Sequence, residues 1–417
     1  MEQQKETPYR VGEWLPSDRL VLENWLKDLI VEVENTPKPM HPVILELKDL
    51  IESDPKLFML FTLMFQQVPE KYKHNPAGGP QVRNYLQALQ LINTVLTKAP
   101  EFNLSGLVGF PINAIFDYAM GTHAGFAAFL DAGLNKQLKK VLNAWGTFLK
   151  SADSVYVLNK NPRSGWFGED ARKQMPHFDE EFQCDPLAPY HGFVSWDDFF
   201  TRKFREGVRP VASPDDDAII VNACESAPYR MSVNVHHKDT FWIKGQPYSL
   251  GHMLNHDSWT PIFEGGTIYQ AFLSALSYHR WHSPVSGTIK KAYVIDGTYY
   301  SETPAEGYDP SGPNKSQGFI TEVATRALIF IEADNPNIGL MCFMPVGMAE
   351  VSTCDITVYE GQHVKKGQEI GMFHFGGSTH CLIFQPKVKL DFDFHGQTPG
   401  LNSSNIPINS RIATVLK

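Results

Sequence analysis

The segment Met372-Phe373-His374-Phe375-Gly376-Gly377-Ser378-Thr379-His380 sets two glycines and two hydroxyl residues between aromatic and histidine side chains. Two glycines ahead of a serine remove the Cβ atoms that would block a tight turn, so the Ser378 oxygen is able to approach the carbonyl carbon of Gly377. Attack there turns the Gly377–Ser378 amide into an ester. Loss of the ester by β-elimination leaves dehydroalanine, which hydrolyses to a pyruvoyl group. Gly-Gly-Ser-Thr also makes ordinary turns and flexible joints, and the pattern alone does not choose between these outcomes.

A serine is a poor nucleophile at neutral pH and needs a base within hydrogen-bond reach, itself oriented by a carboxylate. Tyr278-His279-Arg280-Trp281-His282-Ser283-Pro284 offers two histidines three apart beside a turn. Taken alone, the pair reads first as structural, hydrogen-bonded rings; two histidines so spaced can also face one metal ion, but no third ligand is spaced with them and no metal is expected. Arg202, Arg205 and Arg209 are spaced to clamp a phosphate or carboxylate, or to form a ladder with Asp197 and Asp198. A hydrolase triad of Ser378, His282 and Glu225 lacks the G-x-S-x-G elbow. Val358 to Ile370 has the glycine and β-branched spacing of a small carrier-type barrel, which would make a binding module.

These residues must be held by two kinds of structure. Leu22, Trp25, Leu26, Leu29 and Val33 recur at helical spacing behind Pro16-Ser17-Asp18, and Val43 to Ile51, Leu57 to Phe65, Val82 to Leu96 and Leu130 to Leu149 repeat the pattern. Gly106 to Ala128 is the most apolar part, but Asp117 and His123 interrupt it, which predicts a buried helix and no membrane anchor. Past Asn159 proline, glycine and β-branched residues rise, with strands expected at Ala218 to Asn222, Thr288 to Ile295, Ala327 to Ala333, Leu340 to Val346 and Ile412 to Leu416. The turn-rich stretch Asp296 to Gly318, with Tyr299, Tyr300 and Tyr308, reads as a surface loop or a lid. The chain is expected to be α+β, with a helical domain over residues 1–158 and a mainly β catalytic domain over 159–417.

The 417 residues exceed what one core usually spans, and 42% hydrophobic with 20% charged residues suits a folded chain. A net charge of -9 without a basic patch argues against nucleic acid or an anionic membrane surface as partner. Five cysteines without a C-x-x-C pair are expected to stay reduced, and the polar N-terminus predicts a cytoplasmic protein with no stable membrane insertion.

The run Val364 to Thr379 resembles the processing site of the phosphatidylserine decarboxylase family, whose serine becomes the pyruvoyl group. Trp196 to Pro210, Ile243 to Leu250 and Tyr278 to Gly287 extend the likeness. The resemblance implies cleavage between Gly377 and Ser378, a pyruvoyl cofactor made from Ser378, and a cleaved C-terminal chain that remains a partner. It also implies His282 as the base for cleavage, His279 as a group near the substrate, and an aspartate that orients His282. At the matching place, Ala223-Cys224-Glu225-Ser226, this sequence carries Glu225 instead, whose extra methylene changes the reach. Thr122 to Phe129, Trp145 to Leu149 and that glutamate are similar to a soluble fungal offshoot of the family that decarboxylates free L-tryptophan. Pyruvoyl-dependent decarboxylation of a free aromatic amino acid is therefore expected, with phosphatidylserine as the alternative substrate.

Overall fold

A computed structural model describes residues 19–71, 82–103, 110–240, 247–274, 276–304, 313–350, 353–375 and 378–417. Helices come first: α1 (Arg19–Asn35), α2 (Pro42–Ser53), α3 (Pro55–Lys71), α4 (Tyr85–Val95), α5 (Pro111–Met120), α6 (His123–Phe129) and α7 (Ala132–Leu149). Short helices α8 (Glu169–Gln174), α9 (Phe178–Glu181) and α10 (Trp196–Phe200) follow before the first strand, and α11 (Leu250–Met253) and α12 (Gln317–Val323) lie among the strands. The predicted helical stretches form as expected, apart from the Pro16-Ser17-Asp18 cap, which lies outside the described residues.

Starts and stops follow side-chain chemistry. Asn84, Thr122, Asp131 and Ser195 each accept a backbone N–H from the first turn of α4, α6, α7 and α10. Thr122 also donates its hydroxyl to Ala119 O at 2.7 Å, so one residue ends α5 and opens α6. The apolar stretch to Ala128 is thus broken into two short buried helices, and among the described residues no helix is long and apolar enough to cross a membrane.

The strands are β1 (Ile219–Val221), β2 (Ala227–Val233), β3 (Thr267–Leu273), β4 (Arg280–His282), β5 (Gly287–Ile295), β6 (Arg326–Ala333) and β7 (Leu340–Gly347). They continue with β8 (Thr353–Ile356), β9 (His363–Val364), β10 (Glu369–His374), β11 (Ser378–Phe384), β12 (Leu390–Phe392) and β13 (Arg411–Val415). An antiparallel seven-stranded sheet runs β2-β3-β11-β7-β6-β5-β9, with two three-stranded sheets, β4-β10-β8 and β1-β13-β12. Every residue of β7 and β11 is buried, as strands covered on both faces must be.

The helical part packs onto the segment that follows β5 through aromatic rings. Tyr300 lies 5.7 Å from Phe116 and 5.8 Å from Phe129, ring centre to ring centre, and each such buried aromatic contributes about 1.5–3 kcal/mol by leaving water. Tyr299 and Tyr300 are buried, and Tyr299 N donates to Asn135 Oδ1 on α7. The described start of the 296–318 stretch is therefore an interior strap, against the expectation of an exposed loop. Tyr308 falls outside the described residues.

Candidate active site

Ser378 opens β11, where its backbone is fixed between Leu273 of β3 and Gly347 of β7. Its side chain is fully buried and its Oγ has no hydrogen-bond partner among the described residues. A buried hydroxyl normally finds a partner, because leaving it unpaired costs about 1–3 kcal/mol. The next residue, Thr379, points to the opposite face and shows the usual behaviour: its Oγ1 donates to Ala271 O at 2.8 Å and accepts from Gln270 Nε2 at 3.0 Å. His380 returns to the Ser378 face between the rings of Tyr269 and Phe343, where burial pushes its pKa down to about 3.

Upstream of the serine, Phe375 has φ +65°, a left-handed conformation that costs a residue with a Cβ about 1–3 kcal/mol. It persists because the surroundings fix its ring and the preceding residue. The Phe375 ring lies 5.8 Å from the Trp145 ring and fills the space over Gly146, where a Cβ would come within 2.8 Å of its Cζ. His374 Nδ1 is 2.8 Å from Asp197 Oδ1 on α10, and its Nε2 lies 3.4 Å from Asp355 Oδ2. Gly377, the residue on the acyl side of the expected cut, lies outside the described residues, as does Gly376.

The two histidines of β4 and its approach are placed by different contacts. His279 is buried with its ring stacked on Phe200 at 4.2 Å, and its carbonyl accepts Phe373 N at 3.0 Å, which ties it to β10 two residues before Phe375. His282 Nε2 lies 3.1 Å from the Tyr278 hydroxyl. The Asn409 side chain and the Gly367 backbone lie beside the ring without hydrogen-bonding geometry to Nδ1. Burial pushes the His282 pKa down to about 4, outweighing the nearby Glu369 carboxylate, so the imidazole is neutral at physiological pH.

Glu225 is not brought into hydrogen-bonding contact with His282. Arg209 Nη2 donates to its Oε1 at 2.9 Å, Arg209 Nε reaches both oxygens at 3.2 Å, and Ile408 N donates to Oε2 at 2.7 Å. The guanidinium fork matches a carboxylate better than an imidazole edge does, and Tyr278 occupies the other side of His282. The expected orienting bond is thus replaced by an ion pair, although Glu225 and Tyr278 share the wall of one cavity of about 350 Å³.

The three arginines form neither a ladder nor an open clamp. Arg202 is buried, donates to the carbonyls of Phe199, Leu276 and Ser277, and lies 4.5 Å over the Phe182 ring. Arg205 donates to the carbonyls of Asp179 and Cys184. Asp197 serves His374, and Asp198 accepts Val194 N. Tyr278 was not among the residues expected to matter, and Asp197 was expected only as an arginine partner. Adjacency to His279 marks the first in the sequence, whereas nothing local marks the second.

Residues around Ser378 fit a group made from its own backbone and side chain. The hydroxyl is uncommitted among the described residues and the strand fixes its Cα, while the neutral His282 ring lies on the neighbouring sheet with its backbone opposite Glu369, nine residues upstream of Ser378.

Two family models, both described as phosphatidylserine decarboxylase, match residues 41–175 and 196–398. The chain is 40% identical to an L-tryptophan decarboxylase of Psilocybe cubensis over 88% of its own length and 87% of that protein. It is 43% identical to Decarboxylase iboD of Amanita muscaria (strain Koide BX008) over 72% of its own length and 94% of that protein. A more distant match, phosphatidylserine decarboxylase proenzyme 3 of Schizosaccharomyces pombe, is 32% identical over 48% of this chain and 20% of that one.

Proposed function

The chain belongs to the phosphatidylserine decarboxylase family and is a carboxy-lyase; on that premise we propose that it severs itself between Gly377 and Ser378 and decarboxylates a free aromatic L-amino acid, L-tryptophan first. Enzymes of this family use a self-generated pyruvoyl group, which supplies a carbonyl that takes the substrate amine and holds the electron pair left behind by carbon dioxide. The observation that carries the reading is the Ser378 Oγ, buried and without a partner among the described residues, three positions after the anchored left-handed Phe375.

His282 takes the Oγ proton as the oxygen attacks the Gly377 carbonyl carbon. The C–N bond breaks and the nitrogen of Ser378 becomes an amine. A base then removes the Ser378 Cα proton, and the Gly377 carboxylate departs as the Cα–Cβ double bond forms. Water replaces the nitrogen, which leaves as ammonia. Glu225 acts in this scheme as a negative charge in the wall beside Tyr278, with Arg209 between it and a direct role. His279, stacked on Phe200, is the ring we assign to the substrate.

Supporting the choice of a free amino acid, the relatives named for tryptophan or simply as decarboxylases are 38–43% identical over 72–97% of this chain, while those named for phosphatidylserine are 26–32% identical over 48–70% of it. The test is twofold. Intact mass under denaturing conditions should show two pieces, the smaller starting at residue 378 without a free amine. The processed protein should release carbon dioxide from tryptophan in solution and not from phosphatidylserine in liposomes. A single full-length species that is nonetheless active would overturn the processing, and the reverse substrate preference would overturn the assignment.

A further inference from the structure

We propose that Asp197 is a positioning residue for self-cleavage, latching His374 so that Phe375 enters the Gly376-Gly377-Ser378 segment in its left-handed conformation. The proposal rests on the cut before Ser378 and adds what fixes the upstream side of it. His374 and Asp197 are both nearly buried, so water competes little for the contact, and both carboxylate oxygens face Nδ1, at 2.8 and 3.1 Å. The other ring nitrogen faces the half-exposed Asp355 at 3.4 Å. Immediately downstream the Phe375 ring is seated on Trp145 and over Gly146, so the helical part of the chain holds the same anchor. Beyond the two glycines, Ser378 is held by β3 and β7.

The residues that flank the two glycines, Phe375 on one side and Ser378 on the other, are therefore both anchored. Side-chain attack on a backbone carbonyl needs the reacting atoms about 3–3.5 Å apart, and an ångström of slack costs about a hundredfold in rate. A latch on one end meets that requirement without touching the reacting atoms. After the cut His374 belongs to the tail of the upstream piece. The Asp197 carboxylate hydrogen-bonds no other residue of the proposed machinery among the described residues. Its contribution should therefore be spent once, in maturation, and be absent from turnover.

The experiment is a time course of cleavage for the full chain made by cell-free synthesis, followed by turnover per pyruvoyl of the cut fraction. Asp197→Ala and His374→Ala should each slow cleavage about tenfold to a hundredfold, and the double variant should be no slower than either. Asp197→Asn, which keeps one acceptor for the ring, should recover part of the rate and carries the test if the alanine variant fails to fold. Once cut, every variant should turn over substrate at the wild-type kcat. Wild-type cleavage rates, additive defects in the double variant, or a kcat that falls in parallel with cleavage would each overturn the latch. An uncut wild-type chain would overturn the processing itself, which separates the two failures.

Discussion

Arg209 holds Glu225 with its guanidinium fork, at 2.9 Å and 3.2 Å, while its other edge reaches Glu181 at 3.3 Å. The pair is mostly buried, with 19% and 12% of the two side chains exposed, so solvent screens it only in part. Glu225→Ala leaves Ile408 N unpaired and removes one of the two carboxylates facing Arg209. In a Ser378→Ala background, which keeps the chain in one piece, it should lower the unfolding free energy by about 1–3 kcal/mol. Urea unfolding measures this, and an unchanged midpoint would mean that the pair is idle.

Ser378→Ala removes the nucleophile from a site that, among the described residues, packs around it without using the hydroxyl in a hydrogen bond. The variant should fold as stably as the parent chain, remain a single full-length species by denaturing mass spectrometry, and release no carbon dioxide. His282→Gln should likewise stay uncut, because the amide cannot take the Oγ proton at neutral pH. A cut His282→Gln chain would place the base elsewhere.

Acid should weaken the fold through two buried histidines. The His282 pKa is pushed from 6.5 down to about 4 and that of His380 to about 3, both by burial. Between those values and 6.5 the unfolded chain binds protons that these two buried rings refuse, so their contribution to stability falls as pH drops below 6.5 and continues to fall toward 4, against the opposite contribution of the buried Glu322 and Glu350 carboxyls. His380→Leu, which removes one of these groups from an aromatic site, should flatten the slope. Thermal unfolding at pH 7, 5.5 and 4.5 checks it, and parallel curves for the two proteins would contradict the assignment.

Alkali should act through Glu350. Its carboxyl is fully buried where α5 begins, accepts Ile112 N at 2.5 Å and Asn113 N at 2.8 Å, and has its pKa pushed up to about 8 by burial. The folded state keeps the proton while the unfolded chain loses it above the ordinary 4.5, so the stabilising difference is present below 4.5 and lost as pH rises through 8. Glu350→Gln should remove that dependence and gain on the parent chain as pH rises. A parent chain equally stable at pH 6 and pH 8.5 would count against it, once the similarly raised Glu322 is replaced as well.

The helical half was legible because its apolar spacing and capping residues are local signals, and the strands from Thr288 to Val346 stood out by their β-branched runs. β11 was not named among the expected strands. The glycines before Ser378 read as a turn, and turn chemistry masked the run Ser378-Thr379-His380-Cys381-Leu382-Ile383-Phe384 that follows. Tyr299 and Tyr300 looked like loop residues because prolines and glycines surround them, and only the helices that arrive from elsewhere in the chain bury them. The pairings of Glu225 with Arg209 and of Asp197 with His374 span 16 and 177 positions and depend on which donor reaches first. No local pattern encodes that competition.

The place of β11 in the sheet, third from one edge with β3 on one side and β7 on the other, decides how a severed chain would behave. A piece beginning at Ser378 would own an inner strand and, through β13, the partner of β1. Neither product could leave without unzipping hydrogen-bonded ladders on both flanks. Size-exclusion chromatography in native buffer would report one particle of unchanged radius, and the new ends would behave as a nick in a continuous body.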